Sequence, residues 1–152
     1  MIRKISLSLS LLAIYMMVQA QNAPYNWTFS AKKIGPGSYE IRCTAAIQAP
    51  WHTYSQFTPV GGPVPTKFVF TKNPLCKIEG TAKEVGKLII RHENVFGVDV
   101  KYFEGDVEFV QIVKMKSFAK TNLSGSVTFM VCNDTECLPP KTEKFSIALN
   151  LK

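Results

Sequence analysis

Residues 39–48, YEIRCTAAIQ, alternate between side chains suited to a protein core and side chains that are polar or small. The core-suited set is Tyr39, Ile41, Cys43, Ala45 and Ile47. A period of two residues is typical of a β-strand that buries one face. Residues 145–152, FSIALNLK, repeat the pattern. These two stretches predict a chain built from half-buried strands.

Shorter apolar runs predict five further strands. They are Asn26–Lys33, Thr66–Thr71, Lys87–His92, Val107–Met115 and Ser126–Cys132. Turn-forming residues lie between the runs, at 35–37, 61–63, 122–125 and 132–140. Seven or eight short strands with turns at this spacing predict an all-β domain, an antiparallel sandwich with the immunoglobulin-like arrangement.

The first twenty residues have a different character. Arg3 and Lys4 precede an apolar run, Leu7 to Val18, and a small-residue cleavage site follows at Val18-Gln19-Ala20. This layout is typical of a secretory signal peptide, and the run is shorter than the roughly 20 residues of a membrane span. We therefore predict a signal peptide over residues 1–20 and a single domain over residues 21–152, with no stable membrane insertion after cleavage.

The charge of the chain excludes one class of partner. Removal of residues 1–20 takes away two of the 18 basic residues and none of the 11 acidic ones, which leaves a net charge of +5. The basic residues form no dense cluster with interleaved aromatic side chains, the pattern that follows a nucleic acid backbone. No nucleic acid partner is expected.

The segment VCNDTECLPP, residues 131–140, holds two of the four cysteines. Cys132 ends a predicted strand, and Cys137 follows a turn and precedes two prolines. Cys132 is therefore expected to be the more sheltered thiol and Cys137 the more accessible one. In an exported protein such a pair can form a disulfide, although four cysteines allow three pairings.

Three roles compete for this pair. A structural clip would contribute only roughly 2 kcal/mol for a ring of about six residues, against nearly 5 for a ring of about a hundred. Structural zinc needs four ligands, and His52 and His92 each stand alone in the sequence. The third role is thiol–disulfide exchange, in which Asp134 and Glu136 disfavour the thiolate and keep the thiols from being hyper-reactive. No metal and no cofactor are predicted.

Cys43 and Cys76 lie outside this segment. Cys43 is on the core-facing side of its strand, and cysteine is often fully buried, so two inert thiols are expected. A second disulfide between them is the alternative.

Several motifs together resemble the N-terminal periplasmic domain of the thiol:disulfide interchange protein DsbD. The likeness covers nearly the whole of residues 21–152, and its most specific part is the cysteine pair followed by Leu138 and two prolines. The other matching segments are Trp51–Ser55, Gly61–Thr66 and His92–Gly97 followed by Tyr102.

The resemblance implies an exported, periplasmic domain that accepts electrons at Cys132 and Cys137 and passes them on. Cys137 would form the mixed disulfide with partners and Cys132 would resolve it. A loop carrying an aromatic cap would shield the pair. The implied site residues are Phe96 as the cap, with Val95 as the alternative, His92 and Glu93 on the same loop, and Tyr54 lining the site. Trp51 is expected to be a core residue.

The resemblance also implies partners. Thioredoxin-like or other periplasmic redox proteins would exchange electrons with the pair. Full-length DsbD continues into a membrane-spanning electron conduit, whereas this chain ends at Lys152, so a separate membrane conduit is expected as the electron source. The alternative function is a non-enzymatic immunoglobulin-like module that binds another envelope protein and uses the cysteine pair as a clip.

Overall fold

The computed structural model describes residues 23–94, 96–117 and 119–149, which contain eleven β-strands. The strands are β1 (Tyr25–Gly35), β2 (Ser38–Ile47), β3 (His52–Tyr54), β4 (Lys67–Phe70), β5 (Cys76–Val85), β6 (Leu88–Glu93), β7 (Val98–Glu104), β8 (Val107–Met115), β9 (Thr121–Phe129), β10 (Val131–Cys132) and β11 (Lys141–Leu149). Residues 1–20, where the signal peptide is predicted, and Val95, the alternative cap, lie outside the described residues.

The strands form three antiparallel sheets. The first sheet has the order β1-β2-β8-β5, the second β10-β3-β7-β6 and the third β11-β9-β4. The first and third sheets supply most of the main hydrophobic core, and Phe103 and Val131 of the second sheet complete it. The all-β antiparallel sandwich predicted from the sequence is therefore confirmed.

The alternation in residues 39–48 has the predicted effect. In β2 every second residue is buried, with exposed fractions between 0% for Ala45 and 6% for Ile47. Burial of such side chains stabilises the fold by about 25 cal/mol for each Å² of apolar surface removed from water. Every second residue of β8 is also buried, from Val107 to Val113, with Gln111 as the one polar member of this set.

The predicted turn at residues 122–125 is wrong. These residues lie inside β9, where Gly125 is opposite Phe145 of β11 and Phe70 of β4. A Cβ atom at position 125 would come within 2.7 Å of both the Phe145 ring and the Val69 carbonyl oxygen. Glycine therefore allows close packing in the middle of a strand, and does not mark a chain reversal.

Three strands were missed in the sequence, each for a physical reason. β3 has only three residues, which is too short for a period to show. The register of β5 shifts between Glu79 and Lys83, which interrupts its alternation. In β7 the neighbours Tyr102 and Phe103 are both buried, because the sheet is covered on both faces there.

The second sheet has two apolar faces with different surroundings. Phe103 and Val131 pack into the main core. Tyr54, Val100, Tyr102 and Cys132 form a separate buried cluster. Successive side chains of a strand point to opposite faces of the sheet, so β7 and β10 each contribute to both clusters.

Candidate redox site

The cysteine pair closes a tight turn at the end of β10. Cys132 and Cys137 form a disulfide with an S–S distance of 2.02 Å, and the two residues also form an isolated antiparallel bridge. Backbone hydrogen bonds hold the turn, from Asn133 N to Glu136 O at 2.9 Å and from Leu138 N to Val131 O at 2.9 Å. The cysteine positions are therefore set by the backbone as well as by the sulfur atoms.

The Asn133 side chain adds a second set of hydrogen bonds to the turn. Its Oδ1 accepts from Thr135 N at 2.9 Å, from Thr135 Oγ1 at 2.8 Å and from Glu136 N at 2.8 Å. A side-chain oxygen that accepts from amides two and three residues ahead is the usual device by which Asn stabilises a turn. This turn therefore has five hydrogen bonds that do not depend on the disulfide.

The two cysteines differ in exposure in the predicted direction. Cys132 is 2% exposed and belongs to the smaller buried cluster of the second sheet. Cys137 is exposed, as are the turn residues Asp134, Thr135 and Glu136. One end of the disulfide is therefore sheltered and the other faces solvent.

A pocket of about 460 Å³ opens beside the disulfide. Its walls come from the second sheet, from the cysteine turn and from the chain between β2 and β3. The lining side chains that carry charge, an aromatic ring or sulfur are Trp51, His52, Tyr54, Arg91, Glu93, Phe96, Tyr102, Glu104, Cys132, Asp134 and Cys137. The site thus combines a disulfide, an aromatic wall and several carboxylates.

Cross-strand pairing explains how these residues meet. Cys132 is opposite His52 of β3, and His52 is opposite Glu104 of β7. In the next row on the same face, Tyr54 is opposite Tyr102. Directly opposite residues in an antiparallel sheet place their side chains on the same face. His52 and Glu104 could not be identified as site residues from the sequence, because only the pairing of distant strands brings them to the cysteines.

His52 lies inside the aromatic wall. Its Nε2 is 3.1 Å from Tyr54 Oη, and its ring centre is 4.6 Å from that of Tyr102. Burial lowers the pKa of His52, and the negative charges of Glu104, Asp134 and Glu93 oppose that decrease only in part. The imidazole is therefore neutral at neutral pH and can accept a proton.

Tyr54 is held as a neutral phenol. Its side chain is 5% exposed, and burial, followed by the negative charge of Glu93, raises its pKa to about 12. The hydroxyl can therefore hydrogen-bond to His52 throughout the physiological pH range.

The structure brings three of the four predicted site-lining residues to the pocket. Tyr54, Glu93 and Phe96 line it, and His92 does not. His92 and Glu93 were predicted to share a loop, but both lie in β6, so their side chains point to opposite faces. His92 Nδ1 is 2.8 Å from Asp99 Oδ1 on the other face of the sheet.

Phe96 lies in the turn between β6 and β7. Its amide and that of Gly97 donate to the Glu93 carbonyl oxygen at 3.0 and 2.8 Å, and Gly97 has a positive φ of 66°. The Phe96 side chain is 40% exposed. Trp51, expected in the core, packs against the main core with one part of its surface and lines the pocket with another.

The other two cysteines are buried free thiols. Cys43 is opposite Phe109 and Cys76 is opposite Met115, so six residues of β8 separate their positions along the sheet. At about 3.3 Å per residue this is roughly 20 Å, far beyond the reach of a disulfide. The alternative of a second disulfide is therefore wrong, and the two inert thiols expected from the sequence remain.

Within the described residues, no three His, Cys, Asp or Glu side chains are grouped so that they could hold a metal ion. The same part of the chain contains no helix long and apolar enough to cross a membrane.

Comparison with known families identifies the family of this chain. A family model described as the N-terminal part of the thiol:disulfide interchange protein DsbD matches residues 18–149. The chain belongs to the DsbD N-terminal domain family. The members of this family act in thiol:disulfide interchange, and this chain has a cysteine pair at disulfide distance. Among curated proteins, none matches the chain in sequence.

Solved structures of DsbD-type domains have the same fold. The Neisseria meningitidis DsbD N-terminal domain in the reduced form is 12% identical, with a TM-score of 0.57 over 89% of this chain and 93% of that chain. The N-terminal periplasmic domain of ScsB from Proteus mirabilis is 19% identical, with a TM-score of 0.56 over 88% of this chain. This chain spans about half of the ScsB domain, 49%.

A third solved structure contains a partner. It is the complex between the DsbD and PilB N-terminal domains of Neisseria meningitidis, and it matches at 10% identity with a TM-score of 0.51 over 85% of this chain and 86% of that chain. Together these likenesses show the immunoglobulin-like β-sandwich that the sequence analysis predicted for this DsbD-family chain.

Proposed function

We propose that this domain exchanges reducing equivalents with other exported proteins through the Cys132–Cys137 disulfide. One observation carries the proposal: the disulfide borders a pocket, with Cys137 exposed and Cys132 buried. A thiolate from another protein can reach an exposed sulfur, whereas a buried sulfur is attacked or released only from within the domain. The asymmetry supports Cys137 as the exchanging residue and Cys132 as the resolving one.

The exchange proceeds in two steps. In the reducing direction a partner thiolate attacks Cys137 Sγ, the Cys132–Cys137 bond breaks, and Cys132 leaves as a thiolate that takes up a proton. A second partner thiol then attacks the partner's own sulfur and releases Cys137, which also takes up a proton. The pair gains two electrons and two protons, and the partner gains a disulfide. Passing the electrons on is the same sequence in reverse.

The turn is built to keep its shape through this cycle. Its five hydrogen bonds involve the backbone and Asn133, and none of them involves a sulfur atom. A disulfide that closes a ring of about six residues contributes only roughly 2 kcal/mol by constraining the unfolded chain. Both arguments favour a bond that opens in use over a structural clip.

His52 is the side chain placed to accept the proton of Cys132. The two residues are directly opposite each other, so their Cβ atoms are expected to lie about 5 Å apart. Resolution of a mixed disulfide requires the Cys132 thiol to lose its proton, and a neutral imidazole is suited to accept it. The Tyr54 hydroxyl, 3.1 Å from Nε2, holds the ring in this position.

The groups around His52 determine its proton affinity. Glu104 of β7, Asp134 of the cysteine turn and Glu93 of β6 favour the protonated ring, and Arg91 of β6 disfavours it. Two phenols, Tyr54 and Tyr102, also lie beside the ring. Burial outweighs the net attraction, so His52 takes a proton from Cys132 only as the thiol attacks and returns it to water afterwards.

Phe96 is proposed as the cap of the site, and Glu93 and Tyr54 are proposed as lining residues. Its ring lines the pocket from a turn whose backbone is tied to the Glu93 carbonyl oxygen. A partly exposed aromatic ring beside an exposed disulfide can exclude small thiols and move aside for a docking protein. His92 has no part in this cap, because it lies on the opposite face of β6.

The proposed location is the bacterial periplasm or cell envelope, and the proposed partners are thioredoxin-like or other periplasmic redox proteins and a separate membrane electron conduit. The family match and the signal peptide predicted over residues 1–20 support export. The Neisseria meningitidis complex shows that a DsbD N-terminal domain can bind a second protein domain, which supports partners of this kind.

Trapping of a partner tests the proposal. The Cys132→Ser variant is expressed in its native compartment, where it is expected to accumulate a covalent adduct at Cys137 that reductant releases. The Cys137→Ser variant is the matched control, and its remaining thiol is expected to form no adduct. If the first variant forms none either, the domain is a binding module and the disulfide is a clip.

A further inference from the structure

The mouth of the redox pocket carries a charge opposite to that of the whole domain. Glu93, Glu104 and Asp134 line the pocket, and Glu136 lies in the exposed turn between the cysteines. We refer to these four residues as the acidic rim. Arg91 is the one basic residue among the described side chains that line the pocket. Four of the 11 acidic residues of the chain therefore surround a single disulfide.

The contrast with the rest of the surface is large. Residues 21–152 have a net charge of +5, whereas the acidic rim with Arg91 has a net charge of −3, so everything else has a net charge of +8. Among the described residues, Arg91 forms the one ion pair to the rim, from its Nε to Glu93 Oε1 at 3.4 Å. Glu104, Asp134 and Glu136 are exposed, so their charges act on an approaching molecule.

The walls of the pocket strengthen this field. Trp51, Tyr54, Tyr102 and Phe96 line the cavity beside the carboxylates. Aromatic walls keep the local dielectric constant low, and a cleft lined by one sign of charge concentrates ligands of the other sign. The same aromatic surface provides apolar contact for a docking protein.

We propose that the acidic rim selects redox partners whose reactive sulfur lies in a positively charged surface. The inference rests on the proposed function and identifies the class of partner for the same site. A cationic partner is attracted to Cys137, whereas an anionic partner is repelled, and both effects act mainly on the association rate. The basic remainder of the surface repels the same cationic partner elsewhere, which orients its approach toward the disulfide.

Small disulfides of different charge test the selection without a named partner. The reduced domain is mixed with excess cystamine, which is cationic, with 2-hydroxyethyl disulfide, which is neutral, or with 3,3′-dithiodipropionate, which is anionic. Cys137 attacks the probe and releases one thiol, and Cys132 then breaks the mixed disulfide and releases the second. Two electrons pass from the pair to the probe, and the two thiol protons pass through solvent to the released thiols.

The three probes release thiols of different pKa, and this difference also changes the rates at which they oxidise the pair. Each rate constant is therefore divided by that of neutral dithiothreitol with the same probe, so that the intrinsic reactivity of the probe cancels. At about 20 mM salt the normalised rate for cystamine is expected to exceed that for dithiodipropionate about tenfold, and at about 0.5 M salt the ratio is expected to approach one.

Variants locate the charge that matters. The triple variant Glu93→Gln, Glu104→Gln, Asp134→Asn is expected to abolish most of the ratio at low salt. Among single changes, Glu104→Gln is compared with Glu79→Gln, which removes the same charge from β5. Glu79 lies far from the pocket. It is in the same cross-strand row as Ile112 and Glu40, and Glu40 is seven residues along β2 from the pocket residue Ile47. Glu104→Gln is expected to reduce the ratio about twofold and Glu79→Gln by much less, since screening weakens distant charges.

The outcomes separate two failures. If all three probes oxidise the pair at equal normalised rates in low salt, the charge inference is wrong and the redox function stands. If no probe oxidises the pair, the redox function is wrong and the inference falls with it. The salt dependence of the unmodified domain gives this answer even if a variant does not fold.

Discussion

Cys132 and Cys137 lie five residues apart at the end of β10, whereas Cys43 and Cys76 lie on separate strands of the first sheet. The first two form a disulfide with one exposed end, and the other two are buried free thiols. Burial raises the pKa of Cys76 and, with the added repulsion of Glu108, raises that of Cys43 to about 12. We therefore expect the same side chain to be reactive at the edge of a sheet and inert inside the sandwich, because a thiol reacts as its thiolate and needs access to a partner.

The largest expected effect comes from removing the exposed sulfur. Cys137→Ser is expected to abolish exchange with any disulfide probe, because no sulfur remains within reach of a partner. Cys43→Ala removes a sulfur from the core and is expected to leave the exchange rate unchanged. The measurement is the rate of thiol loss from the reduced protein. A comparable loss of exchange in Cys43→Ala would contradict the division between the two pairs.

The second prediction concerns how the free energy of unfolding depends on pH through Cys43. Cys43 keeps its proton in the folded state up to about pH 12, whereas in the unfolded chain it loses the proton near its ordinary pKa of about 9. Its contribution to stability is therefore complete below pH 9 and is lost as the pH rises from 9 toward 12. The free energy of unfolding is expected to fall by roughly 1 kcal/mol per pH unit in that range from this group.

Urea denaturation from pH 8 to 10.5 in the wild-type protein and in Cys43→Ala checks this prediction. The difference between the two proteins isolates Cys43 from Tyr54, whose pKa is also raised to about 12 and which acts in an overlapping range. Parallel curves for the two proteins would show that Cys43 ionises in the folded state.

The third prediction concerns the two histidines. His52→Gln is expected to slow oxidation of the reduced pair about tenfold at neutral pH, less than the hundredfold or more that general bases often provide, because a thiol already ionises in part there. His92→Gln is the matched control, since His92 lies on the opposite face with Asp99. The pH profile of the wild-type rate is expected to show a step below the ordinary histidine pKa of about 6.5, which His52→Gln removes. A step that persists would mean that another group accepts the proton.

The smallest expected effect tests the cap. Phe96→Ala is expected to speed reduction of the disulfide by a small thiol about threefold, because the ring lines the pocket and restricts access. Phe57→Ala is the control, since Phe57 is 55% exposed and is not among the residues that line the pocket. Equal rates for Phe96→Ala and the wild-type protein would remove the cap from the mechanism.

Much of the fold could be predicted because periodicity records burial. The alternation in residues 39–48 and the apolar run at residues 107–115 predicted β2 and β8 to within a residue. The strands that were missed are short, irregular or buried on both faces, so their patterns are weak. Gly125 was misread because glycine serves both turns and close strand contacts, and only the Phe145 ring and the Val69 carbonyl oxygen distinguish the two.

From the residues alone, the site could be predicted only where it is local in sequence. The distant pocket residues Tyr54, Glu93 and Phe96 were predicted from the family resemblance. Cys132 and Cys137 are separated by one turn, so their disulfide and their difference in exposure follow from nearby residues. His52 reaches Cys132 from 80 residues away, through the pairing of β3 with β10. A lone histidine carries no signal of such a pairing, so the sequence could not identify His52 as part of the site. The assignment of His92 and Glu93 to one loop failed because they occupy adjacent positions of one strand.

The second sheet separates the main hydrophobic core from the pocket. Its residues at positions 53, 103 and 131 are buried on the face toward the sandwich interior. The residues at positions 52, 54, 102, 104 and 132 line the pocket on the other face. Alternate residues of the same strands therefore serve the pocket and the core. Substitutions at the pocket-lining positions can therefore give the domain a new specificity, while the core-facing residues keep the fold stable.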